Sequence, residues 1–351
     1  MIIQYTFLLS IVTLLFLLFR WAFRELPAEK WQIIGVIPSE RQPDGSRQGI
    51  NLTFYGFFIA TASLLSTILV YILLGSLSIP AGITTAIFIA VLSAALPSAN
   101  ILARIIEKKA HTKTVGGASF VGIILAPWVI LLVNAISGIW TGLSHPILPM
   151  LTAFVIAYAF GEGIGRLACI SFGCCYGRPM NDLPKFFRNI IGLHPLVFHG
   201  ETKKIVYAGH LEGVEVFPIQ AVTAVLYCSA GVVGIYLFLN AHYTTGFLLT
   251  LSITQGWRFL SEFLRADFRG NLKISVYQIM ALLTIPYGFL LTKLFPFAVI
   301  SNADLLRGFT TLWNPWLILF LQTIWIVMFL VDGRSHTTGS ILKFHVNHHK
   351  I

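Results

Sequence analysis

Four charged side chains sit where a membrane would make them costly. Arg166 follows Gly-Glu-Gly-Ile-Gly, and Arg258, Glu262 and Arg265 occur together in Trp257-Arg-Phe-Leu-Ser-Glu-Phe-Leu-Arg265. Each group lies at or inside the end of a long apolar run. A charge near the bilayer centre costs about 2.5–3.5 kcal/mol on insertion scales, so such groups face a polar cavity or a partner. Positions 258, 262 and 265 are spaced four and three apart, which puts them on one helical face. Two guanidinium forks and a carboxylate on one face suit an anionic head group such as a phosphate. Glu162, four residues before Arg166, either pairs with it locally or serves the site.

The elements that must position these groups are membrane helices. Hydrophobic residues make up 56% of the 351-residue chain and charged ones 11%, with a mean hydropathy of +0.80. Soluble domains average about 25% charged residues. Nine apolar runs approach or exceed the roughly 20 residues a spanning helix needs: 2–19, 52–75, 79–103, 115–140, 146–165, 218–240, 245–264, 275–300 and 309–331. The first lacks a basic n-region and a small-residue cleavage site, so it reads as a retained helix. The predicted fold class is an all-α polytopic membrane protein. A net charge of +10 fits anionic lipid and orienting loops better than nucleic acid.

Polar stretches at 20–51 and 178–217 and the tail after 332 punctuate the runs. The first reads as an extramembrane loop. The second reads as a small head whose Phe186, Phe187, Phe198 and Tyr207 rest on the lipid interface. The tail histidines 345, 348 and 349 read as solvated. Cys169-x4-Cys174-Cys175 lacks the spacing of a zinc site, because adjacent cysteines do not easily supply two tetrahedral corners. These residues read as small packing groups, with a redox pair as the alternative. No metal or cofactor is expected. Connections after the first, third, fifth and seventh runs carry the lysines and arginines, Lys108, Lys109, Lys113, Arg269 and Lys273 among them. By the positive-inside rule that side is cytoplasmic.

Gly165-Arg-Leu-Ala-Cys-Ile-Ser-Phe-Gly-Cys-Cys-Tyr-Gly-Arg178 resembles the signature of the prolipoprotein diacylglyceryl transferase family, Gly-Arg-x-Gly-Asn-Phe-x-Asn-Gly-Glu-x-x-Gly. Arg166, Gly173 and Gly177 match, while Cys169, Phe172 and Cys174 replace two asparagines and a glutamate. Further resemblances follow in order. Tyr55-Gly56 is similar to the opening of the family's first helix, and Gly116-Gly-Ala-Ser-Phe120 to its Gly-Gly-x-Ser-Phe. Pro218-x-Gln220, Arg258-x3-Glu262-x2-Arg265 and Ser275-x2-Gln278 continue the series. Val121 stands where the family has a histidine often assigned to thiol activation, and Thr254 where it has a tyrosine.

The resemblance spans about residues 50–300. It implies a seven-helix transferase-like core at 52–300 with the head insert at 178–217. An extra helix and polar loop at 1–51 precede the core, and an extra helix and tail at 301–351 follow it. It also implies transfer of a diacylglyceryl group from phosphatidylglycerol to a lipoprotein-precursor cysteine, in the bacterial plasma membrane and facing outward. That orientation opposes the charge count and is left open. On this reading Arg166, Arg258 and Glu262 are catalytic: the arginines clamp the phosphate, and Glu262 holds Arg258 or Arg265 in place. Glu162, Arg265 and Gln220 help bind substrate. Gly165, Gly173 and Gly177 form a tight re-entrant turn in the same site. The competing readings are a non-catalytic scaffold for anionic lipid and, disfavoured by the lack of internal repeats, an anion transporter.

Overall fold

The computed structural model describes residues 2–106, 115–142, 144–188, 194–267, 274–296 and 303–351. Lys108, Lys109, Lys113, Arg269 and Lys273, counted in the charge argument, lie outside them, and the Phe187 side chain is likewise not described. The long helices are α1 (Ile2–Glu25), α2 (Phe54–Ser76), α3 (Ala81–Ile106), α4 (Val115–Thr141) and α5 (Ile147–Phe172). Two single turns in the head, α6 (Lys185–Arg188) and α7 (Lys204–Tyr207), precede α8 (Ile219–Leu239), α9 (Tyr243–Ser261) and α10 (Val276–Leu294). The chain ends with α11 (Leu305–Leu312) and α12 (Pro315–Asp332). Among the described residues, seven helices are long and apolar enough to cross a membrane: α1 to α5, α8 and α12. The fold is that of an all-α polytopic membrane protein.

Helices α9 and α10 have 19 residues each but fall short in apolarity. In α9 the cause is polar Thr250, Thr254, Gln255 and Arg258, all buried in protein. The run expected at 309–331 is two helices. Asn314 caps α12 by accepting from Trp316 N at 3.0 Å, and Pro315 follows at the first helical position, where its missing N–H costs nothing.

Helix α5 is the hub. Buried residues make up 72% of its apolar window, against 6% for α1 and 11% for α12. It packs on α2, α8 and α9, while α3 pairs with α4, α10 with α9 and α4, and α11 and α12 with α2. Close packing there uses small residues, as membrane helices do. A Cβ on Gly163 would meet Cys228 Sγ at 2.6 Å, and one on Gly234 would meet Ile156 at 2.8 Å.

At one end of the bundle the polar stretches are built into structure. Strands β1 (Ile33–Arg41), β2 (Arg47–Thr53) and β3 (Arg334–Leu342) form an antiparallel sheet in the order β1-β2-β3. The sequence reading has no sheet, treating 20–51 and the tail as loops. The pairing of β2 with β3 joins segments almost a chain length apart, which no local pattern reveals. Beyond β3 the tail histidines 345, 348 and 349 are exposed, as expected of a solvated end.

The head packs against the same end. Lys203 is fully buried and donates to Leu26 O at 3.2 Å and Ser171 O at 2.6 Å, joining α1's end, α5's end and the head. Gln32 donates to Thr202 O and accepts from Thr202 Oγ1 at 3.0 Å. Ser171 Oγ donates to Trp31 O. Phe186 and Tyr207 are exposed as the interface reading requires, but Phe198 is not: it is completely buried in the main core. A head this small needs an apolar residue of its own to pack on the bundle.

Candidate active site

Helix α5 runs unbroken through Gly165, whose Cβ position meets nothing closer than 3.9 Å. The re-entrant turn expected around Gly165 is therefore a straight helix. The turn begins at Gly173, the α5 C-cap, where φ is 71° and glycine is favoured. Gly173 N donates to Ile170 O and Cys174 N to Cys169 O, so the last helical carbonyls are satisfied. Beyond the turn, Gly177 bridges to Arg265, and a Cβ there would collide with the Phe217 backbone. Gln220, in the first turn of α8, fixes the turn from the other side by donating to Cys174 O at 3.0 Å. Its Oε1 is buried without a hydrogen bond among the described residues.

One face of α5 carries Tyr158, Glu162 and Arg166 at intervals of four. Glu162 Oε2 accepts from Arg166 Nη2 at 3.0 Å and from Arg258 Nη2 of α9 at 2.8 Å. The three side chains are only 10%, 15% and 9% exposed. Glu162 thus pairs locally with Arg166 and also joins the two arginine motifs. One carboxylate between two guanidiniums leaves this trio with a net positive charge. Arg258 Nε is buried and makes no hydrogen bond among the described residues.

The surroundings of Arg258 explain two of the sequence features. A Cβ on Gly116 would lie 3.1 Å from Arg258 Nη1 and 3.3 Å from Tyr277, so the Gly-Gly of α4 is where a helix backbone closes over the guanidinium. Thr254 leaves room for a phenol from another helix. Tyr227 of α8 donates to Thr254 O at 2.6 Å, and both Tyr227 and Tyr158 lie within electrostatic reach of Arg258. Gln255 Nε2 donates to Tyr158 OH at 3.2 Å. The sequence reading singled out none of Tyr158, Tyr227 and Gln255. The i, i+4 step from Tyr158 to Glu162 was the available signal for the first; Tyr227 carries none, because its relation to Arg258 depends on helix packing.

Glu262 and Arg265 form a separate cluster at the end of α9. Arg265 makes a bidentate pair with Asp267, 2.7 Å to each oxygen, and a longer contact of 3.4 Å to Glu262. Of the two arginines expected to need Glu262, Arg258 is held by Glu162 and Arg265 chiefly by Asp267. Glu262 Oε2 is buried with no hydrogen bond among the described residues. Gln278 ties this corner together, completing a capping box with Ser275 and donating to Phe259 O at 3.0 Å.

The three cysteines at the end of α5 meet in space although their spacing is not that of a zinc motif. The sulfurs of Cys169, Cys174 and Cys175 all lie within 4.8 Å of one another. Adjacent Cys174 and Cys175 converge because the turn continues from left-handed Gly173 to Cys175, itself at φ 53°. Hydrogen bonding with Cys169 and Cys175, then burial, pushes the Cys174 thiol well above its usual range. Cys228 sits apart, buried in α8 against Gly163.

Fold and site together define a multi-pass membrane protein whose central helix carries a carboxylate bridging two buried arginines. The family model for prolipoprotein diacylglyceryl transferase matches residues 46–294, well over half of the chain. The protein belongs to that family, and a transferase-type role in lipoprotein biosynthesis follows from it. No curated protein matches the chain's sequence.

Proposed function

We propose that the protein transfers a diacylglyceryl group from phosphatidylglycerol to the thiol of a lipoprotein-precursor cysteine in the bacterial plasma membrane. The observation that carries this reading is the Glu162 bridge, which holds Arg166 and Arg258 from two helices at one point. In the reaction the thiol sulfur forms a bond to the glycerol carbon of the diacylglyceryl group. The carbon–oxygen bond to phosphate breaks, glycerol phosphate departs with the electron pair, and the thiol proton passes to solvent. Negative charge grows on the departing phosphate, where preorganised guanidiniums are worth most in a water-poor site. Glu162 holds both forks in place before the substrate arrives, which limits the cost of burying them. Arg258 Nε supplies a further donor for a phosphate oxygen. Arg265, anchored by Asp267 and Glu262, positions the turn at Gly177, and Gln220 does so through Cys174 O.

The test is incubation of purified protein with labelled phosphatidylglycerol and a peptide bearing a lipoprotein cysteine. Released glycerol phosphate and lipidated peptide in equal amounts are expected. Binding of phosphatidylglycerol without either product, over the range of pH that the fold tolerates, would favour the scaffold reading, to which Val121 in place of the family's histidine already points.

A further inference from the structure

The three-sulfur cluster at the end of α5 has no part in the transfer chemistry above. The geometry points to Cys169, Cys174 and Cys175 as a site for one thiophilic metal cation of the zinc(II) or copper(I) class. Zinc–sulfur bonds of about 2.3 Å place bound sulfurs about 3.8–4.0 Å apart. The three sulfurs already fall within 4.8 Å of one another, so side-chain adjustments of about 1 Å or less would close the site. The backbone is set for it: α5 ends at Gly173, Cys175 takes a left-handed turn, and Gln220 holds the Cys174 carbonyl.

Charge and surroundings agree with this assignment. Three thiolates around a divalent ion leave one negative charge, and around a monovalent ion two. Arg166 lies within electrostatic reach of Cys169 and Cys175, and Arg265 within reach of Cys175. Tyr55 of α2 lies within reach of all three sulfurs. Cys169 is buried, while Cys174 and Cys175 are half-buried, so the cluster is sheltered without being sealed. Soft sulfur donors select zinc and copper(I) over magnesium or calcium. Packing alone would not require three thiols to meet at one point across a left-handed turn.

The experiment uses the full-length protein in detergent, reduced and free of affinity tags that bind metal. Cadmium(II) serves as the spectroscopic probe, because its bonds to thiolate give an ultraviolet charge-transfer band that histidine nitrogen does not. This separates the cluster from the tail histidines 345, 348 and 349. One cadmium per chain with that band is expected. Cys174→Ser and Cys169→Ser should each weaken binding by more than the roughly 10–100-fold lost when a group behind a ligand is altered. Cys228→Ser should leave stoichiometry and affinity unchanged. In the unmutated protein, zinc(II) should shield the half-buried Cys174 and Cys175 from alkylation, a result that needs no variant to fold. A missing thiolate band, a band that survives Cys174→Ser, or alkylation unaffected by zinc would overturn the assignment.

Discussion

Replacing Glu162 with glutamine tests the centre of the proposed site. The change preserves shape and one acceptor oxygen but removes the charge that Arg166 and Arg258 share, at 3.0 Å and 2.8 Å. With all three side chains no more than 15% exposed, water offers little relief. Removing one partner of a buried ion pair costs about 3–5 kcal/mol, mostly through the charge left behind. At about 2 °C per kcal/mol for a larger chain, the melting temperature should fall by about 6–10 °C. The same vacancy in charge makes the variant a better receptor for an anion. Phosphatidylglycerol added to the micelles should therefore raise the melting temperature of Glu162→Gln more than that of the unmutated protein, and phosphatidylcholine should not discriminate. The assay is thermal unfolding in detergent, followed by tryptophan fluorescence with each lipid. Equal melting temperatures without lipid would refute the bridge as a buried element. A fall without selective rescue by phosphatidylglycerol would refute the site's affinity for phosphate.

Arg258→Lys should lower lipid turnover at least tenfold, because an ammonium cannot reproduce the guanidinium fork that meets both Glu162 and a phosphate; Arg334→Lys, on exposed β3, should leave the rate unchanged in the same assay. Lys203 is held down to about 8 by burial. From there to its ordinary 10.5 the unfolded chain keeps a proton that the folded one has lost, so this residue makes stability rise with pH over that window and contributes no slope below it. Unfolding measured across that window should show the rise in the unmutated protein and its absence in Lys203→Met. Gly177→Ala should destabilise by about 1–3 kcal/mol through overpacking against the Phe217 backbone, and turnover should fall with it as the bridge to Arg265 is displaced.

What could be read in the sequence followed from cost. Arg166 and Arg258 stood out because a charge inside an apolar run demands a reason, and the ordered family motifs placed both in one core. The partner of each arginine was not legible. Glu262 lies on Arg258's own helical face, yet Glu162 reaches Arg258 from another helix, and only the packing of α5 on α9 decides between them. The meeting of the three cysteines was hidden for a related reason. Spacing rules assume ordinary backbone, whereas Cys175 has positive φ, which the neighbouring glycines hint at without fixing. The sheet was hidden by distance, since β3 has little apolar alternation and its partner strand lies near the other end of the chain.

That sheet has a consequence for how the molecule comes into being. Thr53, at the start of α2, donates its N–H and its hydroxyl to Gly333 O, and Gly56 admits the Gly333 backbone where a Cβ would collide with it. Strand β2, already paired with β1, therefore receives its second partner only after α12 has been made. During synthesis the second edge of β2 stays open until residues 334–342 emerge and close it. Pairings across such a separation form late, because the loop they close is so long. Before residues 334–342 are made, β2 is paired on one edge only, by β1, and its other edge is an open template of the kind through which incomplete sheets aggregate.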